Sequence, residues 1–71
     1  MYVGHSQPED DVVFRGDVDD GAFLVFWLHQ QRVTAAMNIN IWDVNDQLRS
    51  MIGRQISADR LTDTGIALAA L

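Results

Sequence analysis

The sequence predicts an α+β domain: a three-stranded antiparallel meander, then one main helix and a short C-terminal helix or strand, stacked as a two-layer sandwich. Three observations predict it. Apolar, β-branched and aromatic runs separated by short polar stretches fill residues 12–41. At Ile41 the spacing of apolar residues changes from two to about 3.6, the change from strand to helix. The connections between the runs are too short for parallel crossovers, which need about a dozen residues or more, so neighbouring strands run antiparallel.

Each element follows in order. "GHSQPEDD", Gly4 to Asp11, is polar and holds the only proline, so it reads as a loop. "VVFRG", Val12 to Gly16, is the first strand, and "DVDDG", Asp17 to Gly21, is a turn rich in Asp that ends on glycine. "AFLVFWL", Ala22 to Leu28, is the second strand, and "HQQR", His29 to Arg32, is a tight connection. "VTAAMNINI", Val33 to Ile41, is the third. Regular alternation puts Val33, Ala35, Met37, Ile39 and Ile41 on one face and Thr34, Ala36, Asn38 and Asn40 on the other. Asn38 then lies on a covered face and requires a hydrogen-bond partner.

From Ile41 the stripe Ile41, Val44, Leu48, Met51, Ile52 and Gln55 predicts the main helix. Asn40 is its expected N-cap, and the Asp43 carboxylate, three residues on, is placed to reach back and to face the positive helix end. Arg49 and Arg54 suit the negative end, and Gly53 suits the stop. "ISADRL" predicts a short second helix capped by Ser57. "TDTGIALAAL" gives a turn at Gly65 and an apolar end.

Bulk properties bound the function. A chain of 71 residues makes one small domain. A domain of this size buries only about 60% of its unfolded surface, so a partner or a very good core must support it. There is no cysteine to form a disulfide or a thiolate metal site. Net charge is −5, with five arginines and no lysine. That balance excludes the basic stripe that nucleic acid or an anionic membrane surface requires. The longest apolar run, Ala22 to Leu28, is far too short to span a bilayer, and the N-terminal residues do not form a signal peptide. The cytoplasm is the expected compartment.

No nucleophile, base and orienting group stand together in the sequence, and no glycine-rich turn precedes a helix, so neither catalytic nor cofactor-binding residues are assigned. His5 and His29 fall in a loop and a turn and read as surface residues. "DVDDG" lacks the ligand spacing of a calcium loop: Gly21 stands at the fifth position and Leu28 at the twelfth. "RGD" at Arg15 to Asp17 reads as a strand end before a turn. "PEDD" reads as a solvated acidic loop or, less directly, a contact for a basic partner. The informative feature is the second strand, apolar on both faces: Phe23, Val25 and Trp27 on one, Leu24, Phe26 and Leu28 on the other. One helix covers one face. The other is left for the chain's own tail or for another domain or subunit. Phe23, Phe26 and Trp27 are therefore candidate interface residues, joined by Trp42, which lies off the helix's core stripe.

"YVGH" with the acidic loop behind it, "VVFRGD", "FLVFWL", "RVTAAMNINIWDVND", "LRSMI" and "ADRLTD" occur in a fixed order and spacing. Together they resemble the C-terminal domain of FAD/NAD-dependent ferredoxin reductases, the group of putidaredoxin reductase and the reductase components of ring-hydroxylating dioxygenases. The resemblance runs from Tyr2 to Leu71, and its most specific part is the strand-to-helix junction with Asn40 and Asp43. It implies that residues 1–71 are a single, non-catalytic interface domain whose FAD and NAD domains lie outside this chain. The parent enzyme would take hydride from NAD(P)H onto FAD and pass electrons singly to a ferredoxin. The implied partners are those FAD and NAD domains, a ferredoxin, and a second copy in a homodimer. This sequence departs from the family in three ways. Gln30-Gln31 stands where the family often has Asp-Gly, the tail lacks the prolines the family often carries, and the sequence begins at Met1 where the family usually has an upstream strand and an aromatic segment. The alternative reading is a free-standing protein-interaction or dimerisation module.

Overall fold

The computed structural model describes residues 2–71. Its strands are β1 (Tyr2–Gly4), β2 (Asp11–Asp17), β3 (Ala22–His29) and β4 (Arg32–Ile39), followed by helices α1 (Asn45–Met51) and α2 (Ala58–Thr62) and a final 3-10 turn, Leu68–Ala70. One antiparallel sheet holds the strands in the order β1-β4-β3-β2. The class is α+β, as predicted. The strand count is corrected from three to four, because the residues ahead of the polar loop pair along β4: Tyr2 opposite Met37, Val3 opposite Ala36, Gly4 opposite Ala35. Three residues are too few to show a period, so that strand is invisible to pattern reading. Gly4 is required there. Its φ is +86°, and a Cβ would stand 2.3 Å from the Thr34 carbonyl oxygen.

Strand β4 does not alternate regularly. Trp27 pairs with Ala35, but Leu28 pairs with Val33, so Thr34 is an extra residue and forms a bulge. The bulge changes the facing of everything before it. Val33 joins Ala36 and Asn38 on the helix side, while Ala35, Met37 and Ile39 face the other way. That corrects the regular alternation expected from Val33 onward. Beyond the bulge, residues 53–56 run along the same edge of β4 that β1 occupies further on. Val33 N–H donates to the Arg54 carbonyl at 2.9 Å, Gly53 N–H to the Val33 carbonyl at 2.7 Å, and Ile56 N–H to the Gln31 carbonyl at 2.9 Å. The β4 edge is thus covered by two unrelated segments, which blunts it as a template for another strand.

The core lies between the sheet and the helices. It is built from Val3, Val13, Leu24, Phe26, Leu28, Val33 and Ala36 of the sheet, Leu48 and Met51 of α1, Leu61 of α2, and Ile56 and Leu71 of the connections. Helix α1 lies against β1 and β4, and α2 against β2. The predicted apolar stripe does reach this core: Ile41, Val44 and Ile52 pack against it beside Leu48 and Met51. The helix, however, begins at Asn45, with Val44 at its N-cap and no side-chain cap. This corrects the cap assigned to Asn40 and Asp43. Both residues have positive φ, 54° and 63°, which is incompatible with helix. Asn40 ends the strand instead, and its Nδ2 donates to the Gly21 carbonyl at 2.8 Å. Asn38 has the expected partner: its Nδ2 donates to the Ile41 carbonyl, fixing the chain as it leaves β4. Gly53, at φ 88°, follows α1 as the sequence requires. Ser57 caps α2, its hydroxyl oxygen accepting from Arg60 N–H at 3.3 Å.

Arg15 fastens the second half of the chain to the sheet. It sits on the core face of β2, opposite Leu24, and is only 7% exposed. Its guanidinium donates to the carbonyls of Leu61 at 3.0 Å, Asp63 at 2.8 Å and Ile66. A fixed planar fork suits three carbonyls at the end of a short helix, whose negative dipole end also favours the cation. The "RGD" tripeptide is therefore no surface motif. Replacing Arg15 with Met leaves these carbonyls without their donor while filling similar volume. It should destabilise the domain by about 3 kcal/mol, read as a lowered denaturation midpoint at unchanged slope. An unchanged midpoint would mean that α2 is held by its apolar contacts alone.

The β3–β4 hairpin closes through Gln30 and Gln31, both with positive φ, 52° and 66°. This is the geometry of a type I′ turn, which Asn-Gly satisfies without strain. Gln30-Gln31→Asn-Gly should raise stability by about 1 kcal/mol by relieving left-handed backbone strain. Thermal unfolding of the pair of proteins checks it, and a lower melting temperature in the variant would show that the glutamine side chains hold the hairpin.

Candidate functional site

The sheet has a second face, and no other element of the described chain covers it. The strand pairings place its residues in rows. Val12 stands opposite Trp27, and Trp27 opposite Ala35; Phe14 opposite Val25, Val25 opposite Met37, and Met37 opposite Tyr2; Phe23 opposite Ile39. These nine positions carry no charge, and their only side-chain polar groups are the Trp27 indole N–H and the Tyr2 hydroxyl, the latter paired with Ser6 Oγ at 2.9 Å. Tyr2 and Trp27 meet edge to face at 5.4 Å, and Phe14 and Phe23 at 5.9 Å. A sheet face that meets only water alternates with polar side chains. Here Val12 and Phe14 are about half exposed, at 49% and 50%.

The tail does not close this face. Leu71 belongs to the core, and Ile66 and Leu68 pack against it on the helix side. The structure divides the sequence-predicted interface residues. Phe23 and Trp27 lie on the open face. Phe26 points into the core with 0% exposure, so its assignment as an interface residue is corrected. Trp42 lies in the loop after β4, 77% exposed and apart from the rows. Tyr2, Val12, Phe14, Met37 and Ile39 were not picked out by sequence. For Val12 and Phe14 the sequence does carry a signal, their alternation with Val13 and Arg15 along β2.

A second cluster lies in a cavity of about 410 Å³ lined by His5, Gln7, Glu9, Asp10, His29 and their neighbours. "PEDD" is not simply a solvated loop. Gln7–Asp10 is a turn closed by Asp10 N–H on the Gln7 carbonyl at 3.0 Å, and it delivers the Asp10 side chain into the fold. Asp10 Oδ2 accepts from the Thr34 hydroxyl at 2.6 Å and from Gln7 N–H at 2.9 Å. His29 Nδ1 stands 3.4 Å from Oδ1. The Thr34 hydrogen bond, then the Gln7 amide, hold the Asp10 carboxyl below its usual value of 3.8 against the opposing effect of burial, with His29 adding to the same direction. The available sequence clue was the Pro8 turn immediately before a strand.

One face of the sheet is thus finished as a hydrophobic core and the other is left apolar and open; the molecule is a small α+β domain. The chain belongs to the Reductase C-terminal family, whose model matches residues 1–71. That family is the C-terminal domain of ferredoxin and dioxygenase reductases. Membership implies association with the other domains of a reductase. A search of curated proteins finds no match. Among the described residues, no helix is long and apolar enough to cross a membrane.

The Asp10 network gives a test by pH. A carboxyl with a depressed folded-state value contributes stability that is present above its unfolded value and is lost as pH falls through the folded one. Asp10→Asn should therefore be less stable than the parent at neutral pH, and its stability should fall less steeply with acid below about pH 4. Denaturation midpoints across the acid range check this. Parallel curves for the two proteins would remove Asp10 from the acid response.

Proposed function

We propose that this chain is the non-catalytic C-terminal domain of a flavoprotein oxidoreductase that carries electrons from NAD(P)H through FAD to a ferredoxin. Its part is to supply packing surface. FAD and NAD(P)H belong to the parent's other domains, and the chain works in the cytoplasm. The observation that carries this reading is the uncharged open face of the sheet, continuous over all four strands. Apolar patches of this kind mark an interaction surface. Rows of aromatic and branched side chains at fixed register suit a second packed layer, as in any sandwich. Family membership supports the identity of that layer as the flavin- and nicotinamide-binding part of a reductase. Within the assembled enzyme the domain contributes to a two-fold subunit contact and to the surface that receives ferredoxin.

Phe14→Glu places a charge on the open face, on its β2 edge beside Phe23, without touching the core. The variant should fold, by circular dichroism, and should lose association with the FAD- and NAD-binding portion of its reductase in sedimentation velocity. The unsubstituted chain should bind that portion and should self-associate when alone. A chain that forms a Phe14-dependent dimer but ignores the reductase domains would favour a free-standing dimerisation module instead. A strictly monomeric chain that binds nothing would overturn both readings.

A further inference from the structure

We propose that Glu9, Asp10 and His29 form a binding site for a divalent transition-metal ion of the zinc type. One potential ligand atom from each residue lies within 4.8 Å of the other two. The cluster is more than a group of acidic side chains. Asp10 is only 8% exposed, and its Oδ1 is sealed from solvent yet accepts no hydrogen bond. The His29 imidazole, 3.4 Å away, is the only group facing this oxygen among the described contacts, and a buried carboxylate oxygen so placed favours a cation beside it. The turn at Gln7–Asp10 and the bulge residue Thr34 hold the other carboxylate oxygen, so the orientation of Oδ1 is fixed by the fold.

The spacing fits a metal better than it fits a hydrogen bond. His29 Nδ1 and Asp10 Oδ1 are 3.4 Å apart, long for an N–H donor and carboxylate. Two ligands about 2.0–2.2 Å from a tetrahedral ion stand about 3.3–3.6 Å apart, by the geometry of the tetrahedron. Two of the three ligands therefore already span one edge of such a site. Glu9 is exposed and free to close the third position. An imidazole with two carboxylates selects zinc, cobalt or nickel over magnesium or calcium, which prefer all-oxygen sites. The one cation lining the cavity, Arg32, is engaged with the Gly53 carbonyl. A bound ion would join the loop before β2 to the β3–β4 hairpin, two segments that no disulfide can link in a chain without cysteine. This inference does not depend on what covers the open face.

The test uses the chain stripped of metal by chelation, titrated with Zn²⁺ in a calorimeter and with Co²⁺ by visible absorption. One equivalent should bind, Co²⁺ should show the absorption bands of a low-coordinate site, and Zn²⁺ should raise the melting temperature. His29→Ala and Glu9→Gln alter exposed side chains and should fold normally, yet each should weaken binding by more than about tenfold. His5→Ala should leave binding in place. The absence of saturable binding would overturn the proposal. So would affinity unchanged in His29→Ala, or binding lost in His5→Ala alone.

Discussion

One inserted residue organises this domain. With Thr34 bulged out of β4, Val33 turns toward the helices and Ala35 toward the open face, so each side of the strand is apolar where it must be. Without the bulge, Val33 would leave the core beside Leu28. The bulge also aims the Thr34 hydroxyl at Asp10, while the Thr34 carbonyl receives His5 N–H at 2.9 Å. Core, open face and the Glu9–Asp10–His29 cluster therefore share one backbone irregularity. Bulges stand at positions where a strand must re-aim a side chain, and this one re-aims several together.

The distribution of charge follows from how the chain holds itself together. Arg15, Arg32, Arg54 and Arg60 each donate to main-chain carbonyls, at the end of α2, at Gly53, or along the last residues. Only Arg49 is paired outward, to Asp46 at 3.9 Å, where both side chains are exposed and the pair contributes little. Most of the positive charge is thus used to satisfy carbonyls that the short helices leave open. The carboxylates stay on the surface, except for Asp10. The same arrangement leaves the open face neutral. A neutral, apolar face can pack closely against another domain without desolvating charge.

Much of this was legible in the sequence. The meander, a helix carrying Leu48 and Met51 into the core, the Ser57 cap and the stop at Gly53 come from local chemistry, which a linear reading captures. The doubly apolar second strand called for cover on both sheet faces, from the tail or from a partner, and the structure puts the tail on the helix side. What could not be read depends on contacts between distant segments. Strand β1 exists because β4 offers it an edge. Helix α1 starts late because Asn40 and Asp43 take left-handed conformations that serve the connection rather than the helix. Phe26 faces inward because the helices lie on its side of the sheet, a choice that alternation alone leaves open. Asp10 is buried by a turn whose purpose appears only once Thr34 and His29 are beside it.

The strand order has a consequence for how the chain reaches its fold. Strands β2, β3 and β4 are joined by short turns, so their pairings close small loops and are quick to form. Strand β1 comes first in the chain but pairs with β4, the last strand, across more than thirty residues, and Arg15 reaches carbonyls 46 to 51 residues away. These long-range closures carry the larger entropy cost. Until they are made, the β4 edge is unpaired while the apolar face of the meander is already assembled. A chain at this stage is at its most adhesive, and closure of β1 onto β4 removes the unpaired edge through which it could pair with copies of itself.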